Sequence, residues 1–143
     1  MVMSNEVHRA STFIFGGNAE FTIRNVESGN SYKYRVRKGK PRHDGDREVF
    51  FVKVKNGQHW EYAGYIVRTA TSFFYNQGER GTLPVTSPAI KGLVYALNKG
   101  ANPLPAPMTM THHGRCAHCG RKLDDEVSVA RGFGPVCWKQ MKM

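Results

Sequence analysis

The sequence lacks the features that define several large classes of protein. Its 143 residues include only three cysteines, an odd number that does not suit a disulfide framework. No apolar run approaches the roughly 20 residues that a membrane-spanning helix requires. The amino terminus has no basic start followed by an apolar block, so no signal peptide is expected. These absences together favour a cytoplasmic protein that does not interact with membranes.

Acidic residues are also scarce. The chain has 21 Lys and Arg against 11 Asp and Glu, which gives a formal net charge of +10 and a pI near 9.8. Much of the excess lies in residues 31–70, where ten basic residues face four acidic ones. Such a balance favours a polyanionic partner, typically nucleic acid, through counterion release. An acidic protein surface would also satisfy it, and a solvated basic face without a partner is the simplest alternative.

No convincing set of catalytic residues is present. The serines show no nucleophile elbow, and no glycine-rich phosphate loop occurs. Asp44 and Asp46 lie beside His43 in a charged loop, which is weak evidence for a metal-dependent nuclease. We therefore expect a protein that is not an enzyme and has no small-molecule substrate.

Hydrophobic periodicity predicts an α+β fold. Tyr32, Tyr34 and Val36 alternate with basic residues, as in a strand with one buried face. Asn56-Gly57, between two apolar runs, predicts a type I′ hairpin turn with positive φ at both residues. Residues 12–67, starting with the apolar segment 12–17, are therefore predicted to form a twisted antiparallel sheet of four or five strands in meander order.

One helix and a change of composition divide the rest of the chain. Residues 88–98 have apolar side chains at helical spacing, Ser87 as a candidate cap and Gly100 just beyond the end. Residues 101–110 contain three prolines and predict an extended linker. The predicted organisation is a β-rich domain over 12–100 with one packed helix, the linker over 101–110, and a small module over 111–143.

All three cysteines lie in this last segment, as Cys116, Cys119 and Cys137 with the spacing C-x2-C-x17-C. Structural zinc takes four Cys or His ligands in a closed tetrahedron, so the motif predicts a Zn²⁺ site that needs one histidine. His112 is the preferred fourth ligand and His113 the next, while His118 should point away from the ion. The alternative is that the three cysteines are reduced, buried hydrophobic residues.

The surroundings of the cysteines predict a small zinc finger similar to a treble clef. Cys116 to Gly120 has the pattern of a zinc knuckle, followed by a short loop or hairpin over 121–128. A terminal helix from Pro135 to about Met141 should carry Cys137 in its first turn. A closed set of four protein ligands leaves no position for water, so this site is expected to be structural.

The run from His112 to Cys137 also carries a specific resemblance. Its pattern, H-x-G-R-C-x2-C-G-R-x-L-x-D-x2-S-x3-G-x-G-P-x-C, resembles the C-terminal signature of an uncharacterised family common in bacteriophages and their hosts. The resemblance implies a phage-type, metal-binding accessory protein and no particular reaction. The acidic triplet 124–126 departs from that pattern and is poorly suited to grip phosphate. This triplet favours a finger that acts as a structural clamp.

A second candidate site is a ladder of basic residues on the predicted sheet. Cations that follow a nucleic-acid backbone, interleaved with aromatic rings that stack on bases, are typical of single-strand binding. If the aromatic residues form the buried side of the sheet, no stacking surface exists. The predicted ladder consists of Lys33, Arg35, Arg37, Lys38, Lys40, Arg42, Lys53 and Lys55.

The sequence therefore predicts a zinc-containing phage accessory protein that binds nucleic acid without catalysis. The nucleic acid would be single-stranded DNA or RNA. The main alternative is a phage inhibitor or adaptor that binds an acidic surface of a host protein, such as a defence effector, a nuclease or a polymerase.

Overall fold

A computed structural model describes residues 5–40 and 47–141. Six antiparallel strands form one sheet in the order β5-β4-β3-β2-β1-β6, and four helices accompany it. The predicted α+β class is confirmed, with six strands where four or five were expected. No helix in these ranges is long and apolar enough to span a membrane. The elements are α1 (Ala10–Ile14), β1 (Asn18–Asn25), β2 (Ser31–Lys38), β3 (Glu48–Asn56), β4 (His59–Arg68), β5 (Phe73–Asn76), α2 (Pro88–Leu97), β6 (Met108–His112), α3 (Glu126–Arg131) and α4 (Pro135–Met141).

One face of the sheet, here called the inner face, is buried under the helices. Alternate residues along each strand point to the same side, so this face collects the apolar half of the alternating pattern. α2 is fixed to it by the Tyr34 hydroxyl, which donates a hydrogen bond of 2.7 Å to the carbonyl of Ala89. The fully buried hydrophobic residues of the strands are Phe21, Ile23, Tyr34, Val36, Phe50, Val52, Ala63, Ile66 and Met110.

The first apolar segment is a helix, so the strand predicted from residue 12 onward was wrong at its start. Ala10, Phe13 and Ile14 are spaced three and four residues apart, which places them on one side of α1, where all three are buried. The amide of Phe13 donates to the carbonyl of Arg9 at 2.9 Å, as in a helix. A short apolar run fits either period, and tertiary packing decided between them.

The hairpin between β3 and β4 forms at the predicted place with a different turn. Asn56 pairs with His59, so the two central residues are Gly57 and Gln58. Of these two residues, only Gly57 has a positive φ, at 62°, because no non-glycine residue in the described ranges has one. A positive φ at the first central residue alone is the pattern of a type II′ turn rather than type I′.

The C-terminal part of the chain is joined to the sheet and to its core. Residues 108–110, predicted to belong to the linker, lie in β6, which pairs with β1 along Phe21↔His112 to Asn25↔Met108. The other edge of β6 contacts the amino-terminal segment, where Val7 N–H donates to Met110 at 2.8 Å. Leu123, Val129, Phe133 and Trp138 belong to the same hydrophobic core as the sheet.

Candidate metal centre and basic sheet face

The three cysteines come together in the fold. The sulfurs of Cys116, Cys119 and Cys137 all lie within 4.8 Å of one another, and none forms a disulfide. Cys116 is buried, Cys137 is half-buried and Cys119 is exposed. Thiolates bind Zn²⁺ at about 2.3 Å, so sulfurs this close can share one ion. The cluster could therefore hold a metal ion, as the spacing predicted.

A tight turn positions the first two sulfurs. The amide of Gly120 donates to the carbonyl of Cys116 at 2.9 Å, and Gly120 has a φ of 78°, a left-handed conformation that favours glycine. Arg115 and Lys122 close the turn by bridging as in an antiparallel pair. The Cys116 sulfur accepts N–H bonds from His118, at 3.4 Å, and from Cys119 and Gly134. These donors stabilise a thiolate.

The third sulfur arrives on the terminal helix. α4 begins at Pro135 and carries Cys137 at its third residue, so the helix predicted to extend from Pro135 to about Met141 is confirmed. The preceding residues 121–128 do not form a hairpin; instead α3 begins at Glu126, and the Asp125 side chain caps it by accepting from Ser128 N–H at 3.0 Å. Gly132 then ends α3 in the left-handed conformation.

The pKa values of two of the thiols are shifted in opposite directions. Burial raises the pKa of Cys116, but the N–H bonds from Cys119, Gly134 and His118 together lower it by more, so the net shift of this pKa is downward. Burial, followed by the neighbouring Cys116 and Cys119, raises the pKa of Cys137 to about 12. Three thiolates this close repel one another, and a bound cation would remove that repulsion.

The three candidate histidines lie away from the sulfurs. His112 is buried at 2% exposure; its Nδ1 accepts from Gly114 N–H at 2.9 Å, and its Nε2–H donates to the Val129 carbonyl at 2.7 Å. Both ring nitrogens are therefore occupied, so His112 is not placed to be the fourth ligand. The His112 ring stacks on Phe13 instead, with 5.7 Å between centroids.

The other two histidines point to different surroundings. His113 hydrogen-bonds Thr22 at 2.8 Å and Glu20 at 3.2 Å on the exposed side of the sheet. His118 lines a separate cavity beside Gly17 and Lys38, away from the cluster, as the sequence predicted. Within residues 5–40 and 47–141, no further His, Asp or Glu joins the three cysteines. The three cysteines line a cavity of about 440 Å³ together with Lys122, Asp124 and Asp125.

The buried His112 should make stability depend on pH. Burial lowers the pKa of His112 from its ordinary value near 6.5, so the unfolded chain binds a proton more readily than the folded one. This contribution to stability is complete above about pH 6.5 and is lost as the pH falls toward the folded pKa. Urea unfolding between pH 7.5 and 5 should show a falling midpoint, and His112→Gln should remove that slope. An equal slope in both proteins would contradict this assignment.

The second candidate site is the side of the sheet opposite the core, here called the outer face. Lys33, Arg35 and Arg37 alternate along β2 with the buried Tyr34 and Val36, so their side chains share this face. Arg35 pairs with Lys53 on β3, and Lys55 lies two residues further on. The structure therefore places five of the eight predicted basic residues together.

The remaining three are elsewhere. Lys38 pairs with Phe50, whose side chain lies on the inner face, and it forms an ion pair of 2.7 Å with Glu48. Lys38 therefore does not extend the ladder on the outer face. Lys40 is exposed in the segment after β2. Arg42 lies outside the described residues, as do His43, Asp44 and Asp46 of the nuclease hypothesis.

A β-bulge brings aromatic rings to the same face. The register between β3 and β4 shifts between Val52 and Lys53, so that Lys53 pairs with Tyr62 and Lys55 with Trp60. Trp60 and Tyr62 are half-buried beside the cations, whereas Ile66, two strand periods further along, is fully buried on the inner face. The Arg35 guanidinium lies 4.1 Å from the centre of the Trp60 ring.

The bulge decides between the two interpretations of the aromatic residues. Tyr34 and Phe50 are core residues, and Tyr32 packs against the core, as the alternative held. Trp60 and Tyr62, which strict alternation would place on the same face as Ile66, are on the outer face. Gly64 is an isolated glycine within a strand pattern, and it is the feature of the sequence that could have indicated the bulge.

Most of the charge on the outer face is not neutralised. Glu20 is its acidic partner, 3.4 Å from Arg35 and 3.2 Å from His113. Those contacts lower the pKa of Glu20, although burial raises it, so the carboxylate is ionised at neutral pH. The other four ladder residues on this face form no ion pair with any residue in the described ranges: Lys33, Arg37, Lys53 and Lys55.

Comparison with known proteins adds a family match for one part of the chain. Residues 106–142 match a family of unknown function (DUF6011). The matched segment is roughly a quarter of the chain and contains all three cysteines, in line with the expected resemblance to an uncharacterised family. Neither the curated proteins nor the solved structures include a match.

Proposed function

We propose that this protein binds single-stranded nucleic acid without catalysis, through the outer face of its sheet. One observation carries the proposal: the Lys55 ammonium, which forms no ion pair with any described residue, lies 5.6 Å from the centre of the half-buried Trp60 ring, and Lys33, Arg37 and Lys53 share that face. Phosphates would follow the cations while bases stack on the aromatic rings. The phage setting of the proposal rests on the resemblance of residues 112–137.

We further propose that Cys116, Cys119 and Cys137 are three ligands of a Zn²⁺ ion in an arrangement similar to a treble clef. A knuckle-like turn supplies two thiolates and the first turn of a terminal helix supplies the third, which is the chemistry that zinc prefers. Three thiolates and Zn²⁺ sum to a charge of −1, which Lys122 beside the cavity offsets. The ion would fix the C-terminal segment against β1.

Salt dependence tests the role of the cations. We expect wild-type protein to bind a fluorescent single-stranded oligonucleotide at low salt, and Lys33/Lys53/Lys55→Ala to weaken binding for all sequences alike. Each neutralised phosphate of a single strand contributes about 0.7 to the slope of log K against log salt, so the triple variant should lose up to about 2. Fluorescence anisotropy at several salt concentrations measures both quantities.

The matched control for charge is Lys91/Lys99/Lys139→Ala, which removes the same number of positive charges but takes them from α2, its C-terminal end and α4. Lys91 and Lys99 belong to the helix that covers the inner face and to its C-terminal end, and Lys139 belongs to the terminal helix, so we expect little change in slope. Stacking has its own pair of variants. Trp60→Ala should cost about 1–3 kcal/mol of single-strand affinity, whereas Tyr95→Ala, an exposed ring on α2, should not.

The same measurements decide against the proposal if it is wrong. An absence of binding to both single- and double-stranded oligonucleotides at low salt would reject it, and the phage inhibitor that binds an acidic host protein would then be tested by pull-down. Equal salt slopes for the two triple-lysine variants would exclude the outer face as the binding surface.

A further inference from the structure

A small cavity lies where the outer face meets the cysteine turn. Its volume is about 250 Å³, and its lining includes Arg35, Arg37, Arg115, Asn18 and Gly120. The first two arginines come from β2, and Arg115 comes from the residue before Cys116. Three guanidinium groups from two distant parts of the sequence therefore surround one space.

The contacts between β1 and the cysteine turn hold this cavity in shape. The amide of Asn18 donates to the Ala117 carbonyl at 2.6 Å, and a Cβ on Gly120 would lie 2.7 Å from the Asn18 side-chain nitrogen. The turn therefore packs closely on β1, and the φ of 78° at residue 120 favours glycine there. Arg115 is thereby fixed beside the ladder of β2.

Each arginine is oriented by one acceptor and keeps most of its donors. Arg35 donates through Nε to Glu20 at 3.4 Å, and Arg37 donates through Nε to Asn18 Oδ1 at 3.3 Å. Arg115 donates through one Nη to the Gly120 carbonyl at 3.2 Å. A guanidinium has five N–H donors in a rigid fork, so the remaining ones can bind a ligand in pairs.

Charge and size identify the class of ligand. Three guanidinium groups face the single carboxylate of Glu20, which His113 also contacts, so the cavity carries net positive charge. Its volume is below the roughly 300–1,000 Å³ of pockets for larger organic ligands. Planar arginine forks match the oxygens of a phosphate in geometry and charge. The chemistry that fits is one tetrahedral oxyanion.

We propose that Arg35, Arg37 and Arg115 form a pocket for one phosphate group, so that the cysteine turn contributes directly to the binding surface. The identification of that group as a backbone phosphate rests on the proposed function, because Arg35 and Arg37 belong to both the pocket and the ladder. A free phosphate-containing ligand has the same chemistry. Two measurements separate the two sources.

The first measurement uses the full chain and a single-stranded oligonucleotide. Arg115→Ala should weaken binding about tenfold and reduce the salt slope by about 0.7. The matched control is Arg121→Ala, which also removes one positive charge from the cysteine turn. The Arg121 side chain lines the cavity beside the sulfurs and not the arginine pocket. We expect that control to change affinity less than about threefold, with metal content unchanged in both variants.

The second measurement titrates inorganic phosphate while arginine Nε–H signals are followed by NMR. Signals of Arg37 and Arg115 should shift together, and that of Arg121 should not. If oligonucleotide binds and Arg115→Ala behaves like Arg121→Ala, the pocket is overturned while the proposed function stands. If phosphate shifts these signals but no oligonucleotide binds, the pocket stands and the nucleic-acid function falls. If neither ligand has an effect, both are rejected.

Discussion

Cys137→Ser is expected to release the bound metal and to unfold the C-terminal segment from about residue 113 onward. Free energies of metal binding in zinc-finger peptides are about 10–16 kcal/mol, and in small sites this is also folding free energy. Serine removes one of three thiolates, and none of the histidines in residues 5–40 and 47–141 lies at the cluster to replace it. Elemental analysis should fall from about one zinc per chain to almost none, and amide hydrogen exchange should accelerate in α3 and α4.

His118→Ala is the matched control, because His118 belongs to the same turn but points to a different cavity. This variant should keep its zinc and its exchange protection. Wild-type protein without any bound metal after purification in metal-containing medium would reject the zinc proposal. Loss of zinc in His118→Ala would show that the ligand set has been misassigned.

Phe13→Ala is expected to cost about 3–5 kcal/mol of unfolding free energy, the range for removing a fully buried phenylalanine. Phe13 is 1% exposed and touches three parts of the core: its ring centroid lies 6.0 Å from that of Phe21 in β1, 5.7 Å from that of His112 in β6 and 6.0 Å from that of Phe133 near the cysteines. The cavity left behind would loosen the contact between the sheet and the C-terminal segment. Urea unfolding of the metal-loaded protein measures the loss.

Phe74→Ala provides the comparison, since Phe74 is 48% exposed on the edge strand β5. Surface substitutions of this kind change stability by about 0.5 kcal/mol or less. A similar, small loss in both variants would mean that Phe13 is not the link between the sheet and the cysteine segment. A large loss in Phe13→Ala alone supports the packing described here.

Local signals allowed some parts of the fold to be predicted from sequence. α2 has helical spacing together with Pro88 at its start and Gly100 beyond its end, and it begins and ends within one residue of the prediction. The three cysteines could be grouped because turn chemistry fixes Cys116 and Cys119 relative to each other. The terminal helix was signalled by Pro135, which favours the first helical position.

Other parts depend on contacts between residues far apart in sequence. β6 has five residues next to a proline-rich stretch, and its strand structure comes from pairing with β1, about ninety residues earlier. His112 was expected to bind metal because it is near Cys116 in sequence, but the carbonyl of Val129 on α3 occupies its Nε2. Trp60 lies on the outer face because of the bulge, since one extra residue in a strand shifts the residues beyond it to the opposite face of the sheet.

The position of β6 has a consequence for the order in which the chain folds during synthesis. β6 lies between β1 and the segment around Val7, both of which are made about a hundred residues earlier. Until Met108–His112 leaves the ribosome, the backbone N–H and C=O groups along that edge of β1 have no strand partner, and such edges attract other chains. The cysteines follow directly after β6. Pairing of β6 with β1 and assembly of the cysteine cluster therefore belong to the same late stage of synthesis.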